Sequence, residues 1–346
     1  MRTLSSLGRL AARASLGIGL AITLSTQALS AELPKKMKWA GVFPSVLENA
    51  WTKSFVDSFQ NVKASKPNGL ELSLASTENV WDEKGLAVIQ AYAEGDKYDV
   101  IWAHSSYADA VEKVAPKHPN TIFVIVGAGN RPMGKNVYLM YPAAHEAAYL
   151  LGMVSGLMTK HNVVGIVGLF PSDDVNDQVN AFRDGARSVN PKVRSRISFI
   201  ESWYDPVKAA EAANAQIASG ADMIYQLGEA FEPCRKRKVI CFGNYVDTYD
   251  VAPGAIASSS VLKWEPYITF LIGEWKKHVS TGAPYAAPST GFLTFGMKQG
   301  GSDIAPYHGF DKVIPQDVKD KVAKARSDFL DGKLTITVNR DKPKAD

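Results

Sequence analysis

The sequence predicts an α/β protein built as two Rossmann-like lobes, and three observations carry that prediction. Short apolar, β-branched runs alternate with helical patterns almost throughout the chain. These runs are unbroken, as expected of parallel strands covered on both faces. The alternation then restarts after Tyr141-Pro142, with a second set of similar length and no low-complexity linker between the sets.

In chain order, Lys38–Phe43 (KWAGVF) predicts a strand, and Glu48–Lys63 a helix whose Trp51, Phe55, Phe59 and Val62 share one face. Leu70–Ala75, Tyr98–Ala103 and Thr121–Val126 follow as strands, separated by helices over Trp81–Glu94 and Tyr107–Ala115. The second set runs helix Ala144–Thr159, strand Val163–Val167, helix Asp174–Val189, strand Ile197–Ile200, helix Pro206–Ser219, then strands Met223–Gln226 and Val239–Phe242. The Pro206–Ser219 helix carries its own punctuation: Asp205 at the N-cap, Pro206 in the first turn and Gly220 at the end. Ala255–Val261, Glu265–Ser280 and Gly291–Gly296 are too few for a third domain and are expected to cross back and complete the lobes. The expected division is a leader over 1–31, a first lobe over 37–142 plus about 255–285, and a second lobe over 143–254 plus about 286–346.

The leader reading rests on Arg2, Arg9 and Arg13 without acids, an apolar run Leu16–Leu24, and small residues Ala28, Ser30 and Ala31. That run is far short of the ~20 residues of a membrane span. An export signal cleaved after Ser30 or Ala31 is expected, with no cysteine near the cleavage point to carry a lipid anchor. The mature protein is thus expected to be periplasmic and not a lipoprotein. Loss of the three arginines takes the net charge from +4 to +1. A near-neutral surface argues against nucleic acid, which calls for a clustered basic field. The remaining 315 or so residues suit two domains.

Motif searches turn up no catalytic machine. HExxH, GxSxG and a Walker lysine loop are absent, and Gly127-Ala128-Gly129 lacks the third glycine of a dinucleotide fingerprint. Neither an enzyme nor a cofactor is expected. The two cysteines, Cys234 and Cys241, lack metal-ligand company. They form a disulfide in an oxidising compartment or remain two buried thiols; their spacing does not decide.

Ligands of open α/β sheets bind outside the carboxyl ends of the strands. That rule selects Phe43, Pro44, Ser45 and nearby Trp51; Trp102, His104, Ser105 and Ser106; Pro171, Ser172 and Asn180; Trp203 and Asp205; Glu229 and Phe231; Asn244, Tyr245 and Asp247; and Lys263 with Trp264. Each has a structural alternative. Trp51 stacks on a ligand or fills a helix face with Phe55, and the ligand is preferred because binding sites enrich flat aromatic faces. Trp203 and His104 divide evenly between ligand contact and internal packing. Asn180 leans to a ligand role, Asp205 to the N-cap. Asp247 and Lys263 either pair with each other or reach a ligand, with their loop positions favouring the ligand.

Several segments together resemble the basic membrane protein family, substrate-binding proteins of ABC importers related to nucleoside-binding lipoproteins. They are Tyr149–Gly156 (YLLGMVSG), Val164–Gly168 (VGIVG), Asn180-Ala181-Phe182 with Gly185, Ser188–Pro191, and Gly220-Ala221-Asp222. WYDPVK at Trp203–Lys208 and Lys263–Tyr267 look most like the purine-base branch. The resemblance implies a type I periplasmic binding protein, two lobes joined by three crossovers, closing on one ligand for delivery to an ABC permease in the inner membrane. It implies that Trp51 stacks on a heterocycle and that Lys263, after Ser260-Val261-Leu262, touches the ligand. Of the two aspartates that grip ribose in relatives, Asp247 remains and Tyr245 replaces the other, which favours a free base or another flat heterocycle over a ribosyl ligand; a purine base such as adenine or guanine is expected, with a nucleoside or a flavin-like ligand as the alternative. A monomer is expected.

Overall fold

The computed structural model describes residues 34–81 and 83–346, so the leader lies outside the described residues. Two sheets form. The first holds β1 (Lys36–Val42), β2 (Glu71–Thr77), β3 (Val100–Ala103), β4 (Ile122–Val126) and β5 (Val137–Met140), ordered β2-β1-β3-β4-β5 and parallel throughout. The second holds β6 (Val163–Gly168), β7 (Arg194–Phe199), β8 (Met223–Gln226), β9 (Ile240–Tyr245), β10 (Ile256–Leu262) and β11 (Ser302–Ile304), ordered β11-β10-β9-β8-β6-β7. Only β11 runs antiparallel to its neighbour.

The helices follow from the same alternation: α1 (Ala50–Ser65), α2 (Glu83–Ala93), α3 (Ala108–Val114), α4 (Ala144–Met158), α5 (Asp173–Val189), α6 (Pro206–Ala218), α7 (Glu232–Arg237), α8 (Glu265–Thr281) and α9 (Gln316–Asp331). The chain passes between lobes three times: at 141–143 before α4, at Lys263-Trp264 before α8, and through 294–301 before β11. Asp205 caps α6, its carboxylate accepting from the Lys208 N–H at 3.0 Å. Among the described residues no helix is long and apolar enough to cross a membrane.

Two lobe boundaries move. Residues from about 255 to 285 were expected in the first lobe, yet β10 pairs with β9 and so belongs to the second sheet. The first lobe takes α8, where Ile268, Leu271 and Trp275 pack into the core with Trp39 and Phe59, and keeps residues 286–293, where Ala287 bridges to Lys135 and Leu293 to Met140. The strand β5, the short edge strand β11 and the helix α9 complete the lobes without having been expected.

The YLLGMVSG signature gains a physical meaning in the α4–α5 contact. A Cβ on Gly152 would fall on the Phe182 carbonyl, one on Gly156 on the Ala186 carbonyl, and one on Gly185 on the Tyr149 carbonyl. The glycines let two backbones touch, so neither helix can slide. Gly185→Ala is expected to destabilise the protein by about 1–3 kcal/mol through overpacking. Urea denaturation monitored by circular dichroism checks this, and an unchanged midpoint would refute it.

Candidate functional site

A cavity of about 240 Å³ lies between the lobes. Its walls come from the carboxyl ends of strands in both sheets: Pro44 and Ser45 after β1, Trp81 after β2, Ser105 and Ser106 after β3, Val126, Ala128 and Gly129 at the end of β4. The second lobe contributes Leu169, Ser172 and Asp174 after β6, Trp203 and Tyr204 after β7, Leu227 and Glu229 after β8, and Tyr245 at the end of β9. The switch points of the two sheets, between β1 and β3 and between β6 and β8, therefore face each other.

Asn49 and Trp51, on the first turn of α1, complete the inner wall. The Asn49 side chain caps the helix by accepting from the Trp51 N–H at 3.2 Å. The Trp51 ring lies flat on His104, with centroids 4.5 Å apart and planes 19° apart. Its indole N–H donates to the His104 carbonyl at 2.9 Å. His104 Nδ1 accepts from the Trp102 indole at 2.9 Å, and Nε2 lies 3.1 Å from the Trp51 carbonyl. An indole N–H only donates, so Nδ1 must be the acceptor and Nε2 must carry the hydrogen. Burial lowers the His104 pKa to about 3, against the smaller opposing effect of the Trp51 carbonyl. The imidazole is thus a neutral shelf beneath Trp51. Tyr245, from the other lobe, meets Trp51 edge-on at 5.1 Å.

Two carboxylates of the second lobe reach across. Glu229 Oε1 accepts from the Asn49 amide at 3.2 Å and the Ala50 N–H at 3.3 Å, supplying an acid at a helix start that has none of its own. Asp174 accepts from the Ser172 hydroxyl at 2.6 Å and faces the Ala128 N–H at 3.5 Å. Burial raises the pKa of both acids. Glu229 and Tyr245 are held at φ of 58° and 67°, where a side chain costs free energy, an arrangement that clusters at functional sites. The first-lobe wall is stiffened by Asn130, whose amide donates to the Ser105, Val126 and Gly127 carbonyls. No lysine, arginine or histidine is among the lining residues.

Of the residues selected from sequence, Pro44, Ser45, Trp51, Ser105, Ser106, Ser172, Trp203, Glu229 and Tyr245 meet at this cavity. The others are placed elsewhere. Phe43 and Trp102 are fully buried in the first-lobe core, because their side chains point down from the strand ends into the α1 layer. His104 sits one layer behind Trp51 and is fully buried as well. Asn180 instead clamps the C-terminal tail, donating to the Asn339 and Asp341 carbonyls at 2.8 and 2.9 Å. Its neighbour Asn176 holds the Arg340 carbonyl, and the Arg340 guanidinium lies over the stacked rings of Tyr141 and Phe292. Asp247 pairs with His308 at 2.6 Å, and Lys263 lies 3.8 Å from Asp303, which Arg326 grips with two bonds. Cys234 and Cys241 are joined, with Cα atoms 6.0 Å apart, tying α7 to β9.

Among the residues missed, Trp81 and Tyr204 flank elements expected from sequence, and Asp174 reads there as an ordinary helix-start acid. Only the strand-end rule, extended one turn into each helix, signals them.

The geometry defines a two-lobed α/β protein with a cavity between the lobes. The family model for ABC transporter substrate-binding proteins of the PnrA-like (Bmp) type matches residues 38–331, and the chain belongs to this family. It is similar to a protein of Haloferax volcanii provisionally named an ABC transporter glucose-binding protein, 30% identical over 265 residues that cover 75% of this chain and 64% of that one. It is also similar to a purine-binding protein of Brucella abortus, 29% identical over 236 residues that cover 66% and 62% of the two chains. The chain thus spans just under two thirds of the length of these two relatives. A solved ABC solute-binding protein from Aeropyrum pernix K1 shares the fold, with a TM-score of 0.71 at 15% identity, covering 88% of this chain and 94% of that one.

The buried imidazole makes a prediction. An unfolded histidine takes a proton below about pH 6.5, while the folded His104 does not until about 3. Its contribution to stability is complete above pH 6.5 and falls as pH drops toward 3, by up to about 1.4 kcal/mol per pH unit. The raised carboxylates act in the opposite sense. NMR titration is therefore expected to show His104 ring signals flat from pH 8 to 4, and a titration midpoint near 6 would refute the assignment.

Proposed function

We propose that the protein is the capturing component of an ABC importer outside the cytoplasm, closing its lobes on a small uncharged purine-type heterocycle without transforming it. A purine base such as adenine or guanine is the first choice and a nucleoside the second. The observation that carries this reading is the inner cavity: flat aromatic faces from both lobes, two carboxylates among hydroxyls and an amide, and no lysine, arginine or histidine in its lining. Trp51 and Tyr245 offer surfaces for a planar ring, for which stacking adds about 0.5–1.5 kcal/mol beyond buried area. Asp174 and Glu229 offer acceptors to ring N–H and amino groups and repel phosphate or carboxylate. The volume, below the ~300–1,000 Å³ of sites for drug-sized molecules, suits one small ring system. The relative named for purine binding supports the same choice.

A ligand touching both lobes stabilises the closed form because only that form makes both sets of contacts. A membrane permease would then receive the ligand from the closed, monomeric protein. The leader, if cleaved after Ser30 or Ala31, would place that encounter in the periplasm.

Isothermal titration with adenine, guanine, their nucleosides, adenosine monophosphate and glucose tests the reading. A purine base or nucleoside is expected to bind in the micromolar range or tighter, with the monophosphate at least a hundredfold weaker. Binding of glucose alone would overturn the purine assignment. Trp51→Ala is expected to weaken purine binding by about 2 kcal/mol; unchanged affinity with an intact fold would remove Trp51 from the site.

A further inference from the structure

Beyond the inner cavity the cleft continues into an outer chamber of about 590 Å³. The two are continuous, since Asn49, Trp81, Trp203, Tyr204 and Glu229 line both. The outer chamber adds Val46 from the first lobe and Phe170 from the second. Its aromatic residues are unusually open to water: Trp81 is 41% exposed, Trp203 40%, Tyr204 62% and Phe170 37%. None of these four belongs to any of the three hydrophobic cores. Phe170 and Trp203 pack on each other, with ring centroids 5.1 Å apart. Folding therefore gives no reason for rings from opposite lobes to be gathered at this mouth. A grouped apolar surface with a polar rim marks a binding region.

We propose that this chamber is a second subsite, which takes an uncharged aromatic ring carried as a substituent on the heterocycle held within. The inference rests on the heterocycle reading of the inner cavity and extends it: the preferred ligand is larger than a free base. Three features carry the assignment. The chamber opens directly from the inner cavity, so one molecule can occupy both. Its exposed rings come from both lobes, so a substituent between them adds contacts only when the lobes are closed. Its lining, like the inner one, holds no lysine, arginine or histidine and includes Glu48 and Glu229, so an anionic substituent is disfavoured.

The test compares adenine and guanine with 6-benzylaminopurine, 9-benzyladenine and 9-benzylguanine by isothermal titration; the benzyl positions sample two directions of exit. At least one benzyl derivative is expected to bind tenfold or more tighter than its parent base. Phe170→Ala, which removes a partly exposed ring lining only the outer chamber, is expected to abolish that gain and leave the parent base within twofold. Benzyl derivatives no tighter than their parents, or a gain that survives Phe170→Ala, would overturn the outer subsite while the inner reading stands. Failure of both parent bases to bind, with or without the benzyl group, would instead overturn the heterocycle reading beneath it. Circular dichroism of the variant separates either result from misfolding.

Discussion

Parallel strands cannot be joined by tight hairpins, so each must be followed by a crossover, and every crossover leaves a strand end free for a loop. That constraint governs this protein. The loops after β1 to β4 and after β6 to β9 converge on one cleft, and the three passages between lobes hold the two sets of strand ends face to face. Residues far apart in sequence, such as Ser45, Ser105, Asp174 and Tyr245, become neighbours there. The cores reach up to this cleft, one packed around Phe182 and Tyr225 and ending at Leu169 and Leu227, another around Trp39 and Trp102 and ending at Val126 and Tyr245.

The inner wall illustrates how packing is converted into recognition. Trp102 fixes the His104 tautomer, His104 supports the Trp51 ring, and Trp264 closes edge-on at 5.8 Å. Each layer is hydrogen-bonded before any ligand is considered, so the exposed face of Trp51 has little rotamer freedom left to lose. A stacking surface prepared in this way costs less to engage than a mobile one. The C-terminal tail extends the same logic to the hinge: Asn176 and Asn180 hold its backbone while Arg340 covers Tyr141, the first residue of the first passage between lobes.

Much of this organisation was legible in the sequence. Unbroken β-branched runs such as Ile122–Val126 announce buried parallel strands, and the rule of carboxyl ends leads directly to Trp51, Ser105, Trp203 and Glu229. The rule fails where one residue of difference reverses a side chain. Trp102 and Phe43 lie at strand ends but point into the core, and the pattern of a fully buried strand does not distinguish its two faces. It fails again for Asn180, because nothing local in a helix tells an amide that binds a ligand from one that binds the chain's own tail. The strand Val137–Met140 was not expected, since it follows β4 through a Gly- and Pro-containing loop with no helix between them. In α9, Val318, Val322, Ala325 and Phe329 are buried on one face of an otherwise charged helix, a periodic signal present in the sequence but easily masked by the polar surroundings.

The contacts between lobes show why the ligand chemistry and the motion are a single problem. Glu229 bonds to Asn49 and Ala50, Asp174 faces Ala128, and Tyr245 meets Trp51, all around the cavity. A hydrogen bond of this kind contributes a net ~0.5–1.5 kcal/mol, and somewhat more when one partner is charged. Together such contacts amount to a few kcal/mol, comparable with the gap that separates two populated conformations. On the proposed function, the closed form would then need only a modest further gain to dominate. A ligand would provide it by touching the same acids and rings. On that reading, the groups that read the ligand would be the groups that hold the lobes together, so a molecule that leaves one acid unsatisfied would lose recognition and closure at once.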